Sequence, residues 1–221
     1  MIALVPTLNE ADTIGPLVSA LREVCERVMV VDDPRSTDGT ERVAHAFGAE
    51  TLVDTDAYGI GPALLAGMEY LWAEARRSGP NMSRVAVIDA GGSHDPQDLP
   101  LMAFYTADVV IGSRFVPGAH YTGRPARSVA SRAYTKVCNR RTGQEISDWT
   151  SGCRIYSPRA VGAILAARPR QKMHAWQPAA LAACVRAGCT VAEQPIRYLA
   201  GRSSMNRRHA WEAVKTLGAI R

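Results

Sequence analysis

Four short segments carry side chains that could do chemistry, and each follows an apolar run. Asp32 and Asp33 come directly after the apolar residues 28–31. Two adjacent carboxylates repel, so they call for a hydrogen-bonded nucleoside, a cation or open water. The next stretch, Ser36-Thr37-Asp38-Gly39-Thr40, is also what an exposed turn with a helix cap requires, and both readings stay open. Asn9 and Glu10 follow a run that closes on Pro6, where they can bond a nucleobase or ribose, or cap a helix. Asp89 ends the run 84–88, a good place to reach a metal-bound diphosphate. Hard oxygen ligands suit Mg²⁺ or Mn²⁺. Gly91 and Gly92 allow a ligand to approach the backbone, and His94 is a second candidate metal ligand or else a capping histidine. Arg114 closes the fourth segment.

The elements that would hold these groups read as an alternation. Strands are expected at 2–6, 28–31, 50–53, 84–88 and 108–111, with helices at 14–24, 38–47, 62–75 and from about 95. Continuously apolar strands separated by helices predict an α/β fold with a mostly parallel sheet covered by helices on both faces. Right-handed crossovers then gather the loops after the strands on one edge. Beyond residue 118 the pattern is less regular. Helices are expected at 128–141, 158–167, 176–187 and 207–220, a strand at 190–195, and a short strand or turn within 147–156.

The length of 221 residues suits one domain, 1–221, with no internal repeat or linker. A formal charge of +5 favours anionic ligands: nucleotides, phospholipid head groups or nucleic acid. Five cysteines with no CxxC pair speak against a zinc site or a disulfide framework and for a reduced, cytoplasmic setting. Strand-like sequence from Ile2 leaves no room for a signal peptide, and no run approaches the ~20 apolar residues of a membrane span. Peripheral contact with a membrane surface stays open.

In order and spacing, these segments resemble glycosyltransferase family 2, and within it the dolichyl-phosphate mannose synthase-like branch. Pro6-Thr7-Leu8-Asn9-Glu10 is similar to the family's P-x-x-N-E. Asp32-Asp33 with Ser36-Thr37-Asp38-Gly39-Thr40 resembles D-D-x-S-x-D-G-T, with one extra residue near Pro34-Arg35. Gly59-Ile60-Gly61 looks like the family's glycine-containing helix start. Gly112-Ser113-Arg114-Phe115-Val116-Pro117-Gly118 matches G-S-R-Y/F-V-P-G, and Asp148-Trp149-Thr150-Ser151-Gly152-Cys153-Arg154 resembles D-x-T-S-G-F-R. The resemblance implies a GT-A, Rossmann-like fold and an inverting hexose transfer from a GDP- or UDP-sugar. It assigns nucleotide-sugar binding to Pro6, Asn9, Glu10, Asp32, Asp33, Gly61 and Asp89 in the half 1–118. The half 119–221 faces the acceptor. Asp89 would sit by the diphosphate and its metal, while Arg114 and Arg154 would neutralise phosphate.

Two departures accompany the match. The family's D-A-D reads Asp89-Ala90-Gly91 here, so the second carboxylate is missing. The C-terminal G-x-S-K reads Gly201-Arg202-Ser203-Ser204, which leaves Arg202 and Ser203 as phosphate contacts without the lysine. The acceptor is expected to be polyprenyl phosphate, with Arg124, Arg127 and Arg132 on its phosphate. A phosphate oxygen is already charged and needs no strong base. The alternative acceptor is a hydroxymethylated pyrimidine in DNA. It would need Asp148 as catalytic base, the basic run for phosphates, and Trp149, Trp176 or Tyr121 for stacking. A catalytically impaired nucleotide-binding protein is a third reading, motivated by Gly91.

Overall fold

A computed structural model describes residues 1–53, 56, 58–79 and 82–199. Its centre is a seven-stranded sheet in the order β3-β2-β1-β4-β7-β5-β8. The strands are β1 (Ile2–Thr7), β2 (Arg27–Asp32), β3 (Glu50–Val53), β4 (Val85–Val87), β5 (Val109–Ser113), β7 (Arg154–Tyr156) and β8 (Val191–Pro195). All neighbouring pairs are parallel except those of β7, which runs antiparallel between β4 and β5. A separate two-stranded ladder joins β6 (His120–Tyr121) to β9 (Arg197–Tyr198).

The expected parallel sheet is present, and β1 shows why its strands carry no polar face. Alternate residues of a strand point to opposite sides. Ile2 and Leu4 join one apolar cluster, with Leu64, Met68 and Leu71 of α3 (Ile60–Ser78). Ala3 and Val5 join another, with Ile14, Val18 and Leu21 of α1 (Ala11–Val24). Each side of the sheet therefore needs its own helical cover. The remaining helices are α2 (Thr40–Ala46), α4 (Leu99–Ala103), α5 (Pro125–Thr142), α6 (Pro158–Ala167) and α7 (Trp176–Arg186). Among the described residues no helix is long and apolar enough to cross a membrane.

Chain order runs outward from β1 to β2 and β3 on one side, then resumes at β4 on the other. The loops after β1 and β4 diverge at that reversal and leave a crevice at the strands' carboxyl ends. Two further features shape this edge. The insertion of β7 carries the 148–153 turn beneath the end of β4. A bridge between His94 and Tyr198 ties the loop after β4 to β9. The expected C-terminal helix at 207–220 lies outside the described residues.

Candidate functional site

A cleft of about 850 Å³, open solvent included, lies at the crevice between β1 and β4. Its floor comes from three strand ends: Pro6 and Glu10, Asp33, and Asp89 with Gly91. Its far walls come from Arg127, Met173, His174 and Tyr198, all beyond residue 118.

The loops after β1 and β2 are joined by hydrogen bonds, and this explains much of their sequence. Asn9 adopts a left-handed φ of 55°, which asparagine tolerates. Its amide N donates to Ser36 Oγ at 2.9 Å, and its Oδ1 accepts from the Thr37 N–H at 2.9 Å. Asp38 accepts from the Ala11 N–H at the start of α1 and from Thr40 Oγ1, and Thr40 Oγ1 in turn accepts from the Glu10 N–H. Asn9 and the Ser-Thr-Asp-Gly-Thr stretch thus hold Glu10 and Asp33 at the cleft. Asn9 itself does not line it.

Asp33 is 2% exposed at its side chain and has both oxygens occupied. Oδ1 accepts from the Arg35 backbone N–H at 3.0 Å and from Arg35 Nε at 2.8 Å. Oδ2 accepts from Arg35 Nη2 at 2.6 Å and from the Gly59 N–H at 2.7 Å. Burial pushes its carboxyl up, and the Arg35 and Gly59 bonds outweigh that and hold it below the usual range. Its neighbour Asp32 points elsewhere. It is buried, accepts from Thr7 Oγ1 at 2.8 Å, and is pushed up by burial. Asp32 therefore anchors the β1 edge and does not meet a ligand in the cleft, contrary to its expected place in the nucleotide set.

Asp89 presents its carboxylate to the cleft. Its side chain is 30% exposed and lines the cleft. Gly152 lies against it, because a Cβ there would collide with the Asp89 carboxylate. His94, the second candidate metal ligand, does not line the cleft; its side chain is 2% exposed and its Nδ1 stands 3.9 Å from Asp89 Oδ2. Burial pushes the ring below its usual pKa despite the Asp89 charge, and neither ring nitrogen has a hydrogen-bond partner among the described residues. No group of three or more metal-ligating side chains occurs among the described residues. The donor set fits a divalent ion held by Asp89 and a ligand's own phosphates, the manner in which Mg²⁺ keeps most of its waters. It does not fit a protein cage that includes His94.

Several expected site residues sit behind the cleft. Asp148 is fully buried, and Arg114 grips it through Nε and Nη2 at 2.7 Å each. The Arg114 and Thr150 backbone N–H groups add two more bonds. Burial raises the Asp148 carboxyl, and the Arg114 charge and bonds overcome it and keep it below the usual range. A carboxylate so enclosed cannot reach an acceptor hydroxyl, which corrects the expectation of Asp148 as a catalytic base. Arg114 is itself buried by that pair and packs over Phe115 and Tyr198, so it is not open to phosphate.

Arg154 is a second correction. It is fully buried on β7, and its two terminal nitrogens donate to the carbonyls of Trp149 and Gln177 at 2.7 and 2.6 Å. Trp149 and Trp176 are fully buried core residues and cannot stack on a base. Gly61 faces packing, not ligand: a Cβ there would overlap the Gln171 carbonyl, and its N–H bonds Lys172 O at 3.0 Å. Of the basic run, Arg127 reaches the cleft, while Arg124, just before α5, and Arg132, on α5, are exposed, Arg132 over the Phe115 ring at 4.3 Å. Arg202 and Ser203 lie outside the described residues.

Comparison with known proteins places this architecture. The family model for glycosyl transferase family 2 matches residues 2–165. This chain belongs to glycosyltransferase family 2. An undecaprenyl-phosphate mannosyltransferase of Micrococcus luteus is 32% identical over 230 aligned positions, covering 97% of this chain and 90% of that protein. A polyprenol monophosphomannose synthase of Mycolicibacterium smegmatis is 29% identical and covers 89% of this chain and 76% of that one. Glucosyl-3-phosphoglycerate synthase from Mycobacterium tuberculosis shares the fold, with a TM-score of 0.76 at 18% identity over 99% of this chain and 79% of that one. The same synthase has been solved with Mn²⁺ and uridine diphosphate.

The sequence reading did not identify Arg35, Gly59, Met173, His174 or Tyr198 as cleft residues. Arg35 left a trace as the extra residue near the Asp-Asp-x-Ser segment, and Gly59 as part of the glycine-containing helix start. Tyr198 and His174 arrive by tertiary contacts between distant stretches, and no local spacing encodes them.

Proposed function

We propose that this glycosyltransferase moves a hexose from a nucleoside-diphosphate sugar to a polyprenyl phosphate at a membrane surface. The observation that carries the reading is the state of Asp148. The carboxylate best suited by motif to act as a base is enclosed and gripped by Arg114, with no exposure to solvent. A hydroxyl acceptor would need a base there, whereas a phosphate monoester is already anionic at neutral pH. The names of the two relatives favour a polyprenyl phosphate over a DNA hydroxyl, and both contain mannose, which is the first sugar to test. An available Asp89 in a formed cleft argues against an inactive nucleotide binder.

In this scheme the diphosphate lies by Asp89 and the nucleoside extends towards Asp33 and Glu10. When bound beside Asp89, a divalent cation would neutralise charge on the departing diphosphate. Arg127 holds the acceptor phosphate at the cleft wall. A phosphate oxygen attacks the anomeric carbon from the face opposite the diphosphate. The bond to the leaving oxygen breaks, its electron pair leaves with the nucleoside diphosphate, and the configuration inverts.

The test offers a nucleotide-sugar panel with either a polyprenyl phosphate in detergent or hydroxymethylated DNA, read by mass spectrometry. A glycosyl-phosphoprenol product is expected, and Asp89→Ala should lower its formation by about 10²–10³-fold. Sugar appearing on DNA alone, or a fully active Asp89→Ala protein, would refute the proposal.

A further inference from the structure

The donor reading above leaves one cleft feature unassigned: what the nucleobase would meet at Asp33. A carboxylate offers about four acceptor positions. All four on Asp33 are filled, two by Arg35 side-chain nitrogens and two by the N–H groups of Arg35 and Gly59. A base N–H approaching Asp33 finds no lone pair. What it meets is the Arg35 guanidinium, which lines the cleft and is 53% exposed.

A guanidinium carries two donor forks. The side fork, Nε with Nη2, is held against Asp33 at 2.8 and 2.6 Å. The end fork, Nη1 with the second Nη2 hydrogen, has no partner among the described residues. Tyr58 supports the group from one side, with its ring centroid 5.7 Å from the Arg35 central carbon. The arginine is therefore oriented twice, by a buried carboxylate and by an aromatic face, before any ligand arrives. Such pre-orientation is what fixed recognition of a flat acceptor edge requires.

We infer that Arg35, oriented by Asp33 and Tyr58, is the nucleobase-reading residue, and that it selects guanine through the paired acceptors O6 and N7. An end-on guanidinium fork matches those two atoms as a bidentate pair. Adenine presents a donor beside N7 and would oppose the fork. Uracil offers its two carbonyl oxygens far apart, so only one could be engaged. Asp33 acts on the base through Arg35 and is a positioning residue. This inference rests on the cleft being the donor site.

Binding of GDP, 7-deaza-GDP, ADP and UDP, measured by titration calorimetry in Mg²⁺ buffer, tests it. GDP should bind tightest, and ADP should be weaker by about tenfold or more. The 7-deaza analogue lacks only the N7 acceptor and should lose roughly three- to tenfold. Arg35→Lys keeps the charge and lacks the fork, so it should bind GDP and 7-deaza-GDP equally, as should Arg35→Ala. Equal binding of the two analogues by the unaltered protein would overturn the inference without any variant. So would UDP binding more tightly than GDP. Tighter binding of all four by Arg35→Ala would overturn it by making Arg35 an obstruction. If the unaltered protein bound none of them, the donor-site reading would fall as well.

Discussion

Asp33 and Asp148 are both buried and both gripped through Nε and Nη2 of an arginine, yet the two pairs sit in different surroundings. Arg35 is 53% exposed at its side chain and faces the cleft, whereas Arg114 is 4% exposed and closed in by Phe115 and Tyr198. The exposure of the cation, not of the carboxylate, separates a pair that can meet a ligand from one that only holds the fold. The Arg35 end of the cleft is left open to solvent, while the turn that holds Asp148 is clamped shut.

The largest effect that would break this contrast is on stability. Asp148→Ala leaves the Arg114 charge buried without a partner and should cost about 3–5 kcal/mol. Asp33→Ala frees an arginine that water can reach. Its cost should be about 1–2 kcal/mol, mostly from the orphaned Gly59 N–H. Urea unfolding of both variants gives the two numbers, and equal losses would erase the distinction. A smaller effect links the clamped turn to the open cleft. Gly152 lies in that turn, and Gly152→Ala should push the Asp89 carboxylate aside. A displacement of about 1 Å at a reacting group can cost roughly 10²-fold. Turnover should fall by about that factor while the urea midpoint moves little. Retained turnover would show that Gly152 does not position Asp89.

Most of the scaffold was legible because each sheet strand that is buried on both faces carries an unbroken apolar run, as β1 and β2 do. The antiparallel entry of β7 was not legible, since its three residues, Arg154, Ile155 and Tyr156, fit either strand direction. That entry decides the fate of Arg154, which lands in the core against α7. The site was legible at Pro6, Glu10, Asp33, Asp89 and Arg127, which follow or face parallel strand ends. Asp148 and Arg114 were expected in separate roles, as a base and on phosphate, whereas the fold buries them against each other. Burial is a property of what packs above a residue, and for Arg114 that cover comes from Phe115 and Tyr198.

The smallest expected effect lies in acid, where both pairs should weaken but not equally. The Asp33 and Asp148 carboxyls are both held below their ordinary values by their arginines, against burial. A depressed carboxyl stabilises the fold fully above its unfolded pKa, about 3.9, and that contribution is lost as pH falls through the lower folded value. The urea-derived gap between the unaltered protein and Asp148→Asn should thus be constant down to about pH 4 and shrink below it. Each unit of depression is worth about 1.4 kcal/mol of that shrinkage. Solvent around Arg35 screens its pair, so the corresponding gap for Asp33→Asn should change less over the same range. A gap for Asp148→Asn that stays level from pH 7 to pH 2.5 would mean that this carboxyl takes up its proton equally in the folded and unfolded chain, with no depression in the fold. The charge of Arg114 would then not be what holds it in place.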